Sequence, residues 1–134
     1  MTLTTEYDAI EARFDTQWAG ATPVGYSGQE FTPTAAGNSV RLTVMSGGAD
    51  QMSAGDPGNN VVRHVGLIVI EIFVPGGDGE VAVRPLADNA MDIFRNQIFG
   101  GVRCRVPYVS AHREEPPFLI WNVICPFERD EFNG

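Results

Sequence analysis

The spacing of apolar residues predicts a helix over residues 4 to 19. Its apolar side chains recur every three or four positions, which places them on one helical face. They are Tyr7, Ile10, Phe14 and Trp18. Gly20 is a natural helix end. Residues 20 to 38 are rich in Gly and Pro and predict a loop, with a short extended piece around residues 24 to 31.

Two long strands are predicted next. Residues 39 to 46 alternate between apolar and polar side chains, which is typical of a strand with one buried face. Residues 61 to 74 form the second strand and return antiparallel to the first. Within it, "GLIVIEIFVP" at 66 to 75 is apolar at both parities, with Glu71 as its one acid. The polar, Gly-rich residues 47 to 60 form a long hairpin loop or an extended β-arm.

The second half of the chain predicts one more helix and two more strands. Apolar positions over residues 82 to 98 share a helical face, and Pro85 fits this helix only in its first turn. Residues 101 to 112 and 117 to 126 have strand composition.

Together these elements predict an α+β fold with a mixed, mostly antiparallel sheet of four to five strands and two helices on one face. A chain of 134 residues fits one domain, so we expect a single domain over residues 1–134 with the loop or arm at 47 to 60.

The last strand is apolar at both parities, like "GLIVIEIFVP", and two helices cannot cover both faces of the sheet. An uncovered face of this kind is costly and prone to aggregation. The loops at 20 to 38 and 47 to 60, or another subunit, could cover it, and we favour a neighbouring copy.

The residues predicted to contact that copy lie on the strands and at the start of the Gly-rich loop. They are Arg41, Gln51, Met52, Ile70, Glu71 and Trp121. Arg41 and Glu71 are expected to form a polar or ionic element at the junction. The alternative for Glu71 is simple solvation near a sheet edge.

The charge is strongly acidic: 17 acids face nine bases, all of them Arg, for a formal net charge of −8. Such a chain is poorly suited to gripping nucleic acid, because phosphate contacts require basic residues. The start of the chain lacks the apolar run of a secretory signal, so we expect an intracellular product with free thiols. Cys104 and Cys125 are interpreted as small buried apolar residues.

No catalytic or metal-binding pattern stands out. His64 and His112 lack metal-site spacing, and no H-E-x-x-H, C-x-x-C, P-loop or G-x-S-x-G motif occurs. Asp56, Asn59 and Asn60 in "GDPGNN" could suggest calcium, but these are ordinary turn formers and the EF-hand pattern is absent. We therefore predict no catalytic residues, no metal and no cofactor.

Five stretches carry a family resemblance: "YDAIEARFDTQW", "FTP" at 31 to 33, "VRLTV", "GNNVVRHVGLIVIEIFVPGGDG" and the following "LADNAMDIF". They resemble the tail terminator proteins of long-tailed bacteriophages, and the resemblance covers nearly the whole chain. The "RHVGLIVIEIFVPGGDG" stretch with "LAD" behind it is its most specific part.

The resemblance implies a structural virion protein, made in the host cytoplasm, that is not an enzyme and carries no cofactor. Such proteins form a ring, usually of six copies, at the head-proximal end of the tail tube. The ring halts polymerisation of the major tail tube protein and offers its other surface to the neck or head-completion protein. DNA passes through its hole without sequence-specific contact, and no membrane is involved.

Two alternatives remain open. The first is another neck or tail-completion protein, such as a head-closure component. The second is a small-ligand-binding or enzymatic α+β domain whose second sheet face lines a pocket.

Overall fold

The computed structural model describes residues 3–26, 31–33, 37–51, 60–75 and 79–133. It shows an α+β fold in which two helices lie on one face of a seven-stranded mixed sheet. The elements are α1 (Leu3–Trp18), β1 (Val24–Tyr26), β2 (Ser39–Gln51), β3 (Asn60–Pro75), α2 (Gly79–Phe94), β4 (Ile98–Phe99), β5 (Val102–Cys104), β6 (Tyr108–Glu115) and β7 (Phe118–Asn133).

The strand order is β1-β2-β3-β7-β5-β4, with β6 also paired to β7. The β1–β2 pair is parallel and every other described pair is antiparallel. The predicted mixed sheet and its two helices are confirmed, but the count of four to five strands was wrong. The strand predicted over 101 to 112 is divided into β5 and β6, because Pro107 between them has no N–H to donate to a ladder. The short strands β1 and β4 add to the count.

Helix α2 begins and ends earlier than the predicted range of 82 to 98. Asn96, just after the helix, has a positive φ of 54°, and the chain then enters β4. Ile98 therefore lies in β4 and is exposed instead of joining the apolar helix face. Pro85 lies beyond the first turn, so that prediction was wrong. Because Pro85 has no N–H, the carbonyl of Val81 has no hydrogen-bond donor four residues later in the helix. Val81 is exposed to solvent.

The core lies between the helices and one face of the central strands, which we call the helix-covered face. It receives alternate residues of each strand, as a period of two requires. The central strand residues of this core are Val40, Leu42, Val44, Ile68, Ile70, Ile72, Val74, Val123, Cys125 and Phe127. From the helices, Phe14 stacks between Trp18 and Phe94, with ring centroids 5.1 and 6.2 Å apart. Cys104 and Cys125 are both buried as free thiols, in agreement with their predicted role.

A buried ion pair joins α1 to β7. Arg129 Nε donates to Glu6 Oε1 at 2.7 Å, and the two residues are only 3% and 2% exposed. Glu6 is not among the apolar residues that predict the first helix, yet it is buried like most of them. Glu6, Ile10 and Phe14 are spaced by four residues and share one face, so the helix that buries Ile10 also buries Glu6.

The second carboxylate oxygen of Glu6 has no hydrogen-bond partner among the described residues. Arg129 Nη1 also donates to Glu131 at 3.1 Å, and His64 Nε2 lies 2.9 Å from the same carboxylate. Beside this group lies a cavity of about 360 Å³, bordered by Glu6, Gly47, His64 and Arg129. These contacts link α1 to β3 and β7.

The helices are much shorter than the strands that they cover. Each helix has 16 residues and a length of about 24 Å, whereas the 16 residues of β3 or β7 extend about 53 Å. Burial on the helix-covered face continues along β7 as far as Arg129, so only the end of the sheet beyond the His64–Arg129 pair extends past the helices. The segment predicted as a loop or arm at 47 to 60 begins in this extension, since β2 continues to Gln51 and β3 starts at Asn60. Residues 52–59 lie outside the described residues.

Candidate assembly surface

The opposite side of the sheet, which we call the open face, is set by the strand register. Three cross-strand rows in the middle of this face each combine one residue from β2, β3 and β7 and point away from the helices. The rows are Arg41–Glu71–Asn122, Thr43–Val69–Ile124 and Met45–Leu67–Pro126. No helix of the described chain packs on these rows.

One end of the open face is covered by the chain itself. Phe31 packs on Phe73 at 5.8 Å between ring centroids, and Phe73 meets Phe118 edge-on at 6.1 Å. The Phe31 ring occupies the space above Gly25, where a Cβ would lie 2.5 Å from it. Ile120 beside this aromatic group is buried. Part of the predicted loop at 20 to 38 therefore does serve as a cover, but only at this end.

A polar row crosses the open face next to the aromatic end. Glu71 accepts a hydrogen bond from Arg113 Nη2 at 3.3 Å, and Arg113 Nε also donates to Glu115 at 3.2 Å. Arg41 and Asn122 flank Glu71 in the register. Within the described part of the chain, Arg41 Nε and Asn122 Oδ1 have no hydrogen-bond partner although both are shielded from solvent. Arg41 and Glu71 are neighbours in this row, and Arg113 is the ionic partner of Glu71. That the row lies at a junction between copies stays a prediction.

An apolar band lies beyond the polar row. We define it as Met45, Leu67, Val69, Tyr108, Ile124 and Pro126, with Tyr108 brought in by its pairing with Ile124. Met45 is 51% exposed and Tyr108 is 48% exposed, and the other four are half-buried. Contiguous exposed apolar residues rimmed by polar ones are typical of protein interaction sites.

An ionic cluster borders the other side of the apolar band. Arg63 Nε donates to Asp130 at 2.9 Å, and Arg103 Nε and Arg105 Nη2 donate to Glu128 at 3.3 and 3.2 Å. The hydrogen bonds from Arg63 and Arg103 lower the pKa of Asp130 to about 2. Burial opposes ionisation of Glu128, but the hydrogen bonds from Arg105 and Arg103 outweigh it and lower its pKa. The carboxylates of the cluster stay ionised well below neutral pH.

The six predicted contact residues are divided between the two faces. Arg41 and Glu71 lie on the open face. Ile70 is fully buried in the core, and Trp121 lies on the helix-covered face in register with Ile72. Both therefore leave the candidate surface, because their parity points to the helices. Gln51 ends β2, and nothing is described of its side chain. Met52 lies outside the described residues.

Four arginines that shape this surface were not among the residues predicted from the sequence: Arg63, Arg103, Arg105 and Arg113. Glu128 and Asp130 were not predicted either, because the last strand was expected to end at residue 126. The signal was present in parity. Glu128 and Asp130 continue the alternation of Asn122 and Ile124, which places them on the open face once β7 extends to Asn133.

No group of three or more metal-ligating side chains converges in the part of the chain that the structure describes. The "GDPGNN" segment falls outside that part, except for Asn60 at the start of β3. Neither described helix is long and apolar enough to cross a bilayer.

Comparison with known proteins gives one family and one shared fold. A family model described as phage tail terminator protein matches residues 7–117 and confirms the resemblance predicted from the sequence. A solved chain that carries no functional name aligns over 96% of both chains with 22% identity and a TM-score of 0.72, which shows a common fold. A chain from the virion of a native gene transfer agent particle aligns over 93% of this chain and 94% of its own, with 15% identity and a TM-score of 0.49, too weak a likeness to carry an inference. No curated protein matches the chain.

Proposed function

Because the chain belongs to the phage tail terminator protein family, a family of structural tail proteins, we propose that it forms a ring, usually of six copies, at the head-proximal end of a tail tube. The ring stops polymerisation of the tube protein and provides the surface to which the neck or head-completion protein binds. The protein is made in the host cytoplasm and incorporated into the virion.

The apolar band carries this proposal. A single copy leaves Met45 and Tyr108 about half exposed in the middle of a sheet face that is otherwise covered or charged. Burying such a surface against another protein is favourable by about 25 cal/mol per Å². A head-to-tail contact between different patches closes into a ring when its rotation is right, and it covers the band in every copy.

Termination follows from complementarity on one side of the ring. One surface of the ring matches the last layer of tube subunits, whereas its opposite surface lacks the groups that a further tube subunit needs. The neck protein binds this opposite surface instead. DNA passes through the centre without sequence-specific contact, which suits a chain with a formal net charge of −8.

Electron microscopy of tails assembled with and without the protein tests the proposal. Tubes made without it should be overlong and variable in length, and restoring the protein should return them to one length. Tubes of normal, uniform length that merely fail to join heads would contradict termination and favour a head-closure or tail-completion role.

A further inference from the structure

The charges of the described chain are divided unequally between its two sides. Apart from Asp50, which pairs with Arg63 in the register and whose side chain is not described, the open face carries five arginines and four carboxylates. They are Arg41, Arg63, Arg103, Arg105 and Arg113 with Glu71, Glu115, Glu128 and Asp130. The outer surface of the helices and the residue after α2 carry six acids and three arginines: Asp8, Glu11, Asp15, Glu80, Asp88 and Asp92 with Arg13, Arg84 and Arg95. One side is close to balanced in charge, and the other is clearly negative.

The negative charge is least compensated on α1. Asp8, Glu11 and Asp15, which we call the acidic patch, are spaced by three and four residues and share one face. Among the described residues, none of them is ion-paired with an arginine, whereas Glu80 and Asp92 of α2 are paired with Arg84 and Arg95. Burial and the nearby Asp8 raise the pKa of Glu11, which reports the same lack of positive charge.

The acidic patch borders a depression in the surface of α1. A shallow depression of about 330 Å³ opens on α1 between Thr4, Tyr7, Asp8 and Glu11. Gly100, in the turn between β4 and β5, lies against Ala9 of the same helix. Tyr7 borders the depression beside these carboxylates. The surface thus offers carboxylates with apolar atoms around them.

The open face presents exposed arginines that can pair with the carboxylates of the acidic patch. The Arg105 side chain is 67% exposed and the Arg113 side chain is 40% exposed, although each also contacts a carboxylate of its own chain. They stand before and after Tyr108 in the chain, at the margin of the apolar band. A guanidinium has five N–H donors, so each arginine can bind a second carboxylate without releasing the first.

We propose that neighbouring copies in the ring are joined by the open face of one copy and the α1 surface of the next, so that Arg105 and Arg113 face the acidic patch and the apolar band covers Tyr7. This inference rests on the proposed ring. The alternative of open face against open face gives no such complementarity, because it pairs two faces of nearly balanced charge and leaves the acidic patch without a cationic partner. A contact between two different patches is heterologous and can close into a ring.

Cysteine cross-linking in assembled tails tests this contact. The native Cys104 and Cys125 are buried, so new surface thiols dominate the reaction with a short bis-maleimide. The double variant D8C/Y108C should give a ladder of cross-linked species that ends at the ring size. Single variants D8C and Y108C should give no ladder, and their mixture should stop at dimers. The matched control is R84C/Y108C, because Arg84 is exposed on α2 outside the proposed contact.

Efficient dimers of Y108C alone would show that two open faces meet and would overturn the inference. So would a ladder from R84C/Y108C equal to that from D8C/Y108C. If the variants enter tails and set their length but D8C/Y108C does not cross-link, the inference fails while the proposed function stands. If the protein is absent from tails altogether, the proposed function itself fails.

Charge reversal gives an independent measurement. D8R/E11R and R105E/R113E should each reduce incorporation into tails by about tenfold or more, because like charges then face each other. An equimolar mixture of these two variants should recover incorporation, because copies that alternate around a ring of six place opposite charges at every junction. The quadruple variant, which restores opposite charges at every junction, should recover most of the loss. No recovery in the quadruple variant, with its melting temperature unchanged, would contradict the contact.

Discussion

The two faces of the sheet are made from the same strands and are similarly apolar, yet they reach opposite states. On the helix-covered face, Ile68, Ile70 and Ile72 are completely buried. On the open face, the alternating neighbours Leu67 and Val69 are only half-buried. The difference is caused by the helices, which cover one side of the sheet only. Apolar composition predicts that a sheet face must be shielded from water. It does not show which of the two faces is covered by helices of the same chain.

Charged residues show the same contrast. The helix-covered face hides the Glu6–Arg129 pair from water, whereas the open face carries a solvated network around Glu128 and Asp130. A buried pair becomes costly when one partner is removed, because the other remains buried and charged. Solvated pairs contribute little to stability individually. We therefore expect the helix-covered face to determine folding and the open face to determine association.

The largest effect is expected for Ile70→Glu, which places a carboxylate in the core at a position with no solvent exposure. The free energy of unfolding should fall by about 4 kcal/mol or more, a large part of the 5–15 kcal/mol typical of a domain. Chemical denaturation followed by circular dichroism measures this loss. Ile70→Val is the matched control and should cost about 0.5–1.5 kcal/mol. A cooperative transition near the wild-type midpoint for Ile70→Glu would refute the burial of this face.

Arg129→Ala should have the next largest effect, because it leaves Glu6 buried without its cation. We expect a loss of about 3–5 kcal/mol in the free energy of unfolding, measured by urea titration. The double variant Glu6→Leu/Arg129→Met should be more stable than Arg129→Ala, since no charge is then left alone. Glu131→Gln is the control, and its partly solvated pair should contribute under about 1 kcal/mol. A double variant less stable than Arg129→Ala would count against this interpretation.

The ionic cluster on the open face should give a smaller, pH-dependent contribution. Asp130 has a pKa of about 2 in the folded chain, against 3.8 for the ordinary side chain. Its stabilisation is therefore complete above a pH of about 4 and is lost as the pH falls towards 2. Because Asp130 is partly solvated, we expect this loss to be about 1 kcal/mol.

Melting temperatures of the wild type and Asp130→Asn should be compared at intervals across this pH range. The difference between the two proteins should be present near neutral pH and should vanish near pH 2. A difference that stays constant over the range would show that Asp130 does not contribute through its charge.

The smallest effect on folding is expected for Ile124→Glu, the counterpart of Ile70→Glu on the open face. Its side chain is half-buried in the apolar band, so the new carboxylate keeps contact with water. We expect a change of about 1 kcal/mol or less in the free energy of unfolding, together with failure to enter tails. Unfolding of this variant as severe as that of Ile70→Glu would show that both faces are covered within one copy.

Much of the fold was predictable because its long elements have strong periods. The predicted first helix, over residues 4 to 19, matches α1 within one residue at each end, and the predicted long strand, over residues 61 to 74, matches β3 equally well. The short strands were not predictable in the same way. β4 and β5 have two and three residues, too few for a period to show. β5 forms because β7 offers it an edge, and β4 pairs in turn with β5.

The candidate surface was predicted in part. The sequence indicates that a second apolar sheet face exists and that Arg41 and Glu71 form a polar element at this face. In these strands the odd and the even positions are both apolar, so the sequence does not show which set faces the helices. For this reason Ile70 and Trp121 were predicted to lie at a junction between copies. The family match ends at residue 117, before β7 begins, so the strand that carries Ile124, Glu128 and Asp130 lies outside it.

The pairing of β3 with β7 has a mechanical consequence. Its 16 residue pairs run in unbroken register from Asn60–Asn133 to Pro75–Phe118. Interstrand hydrogen bonds lie perpendicular to the strands, so tension along the strand axis loads all of them in parallel, whereas a sideways pull would break them one after another. The centre of this sheet is thus stiff against shear in one direction and can be unzipped in the other.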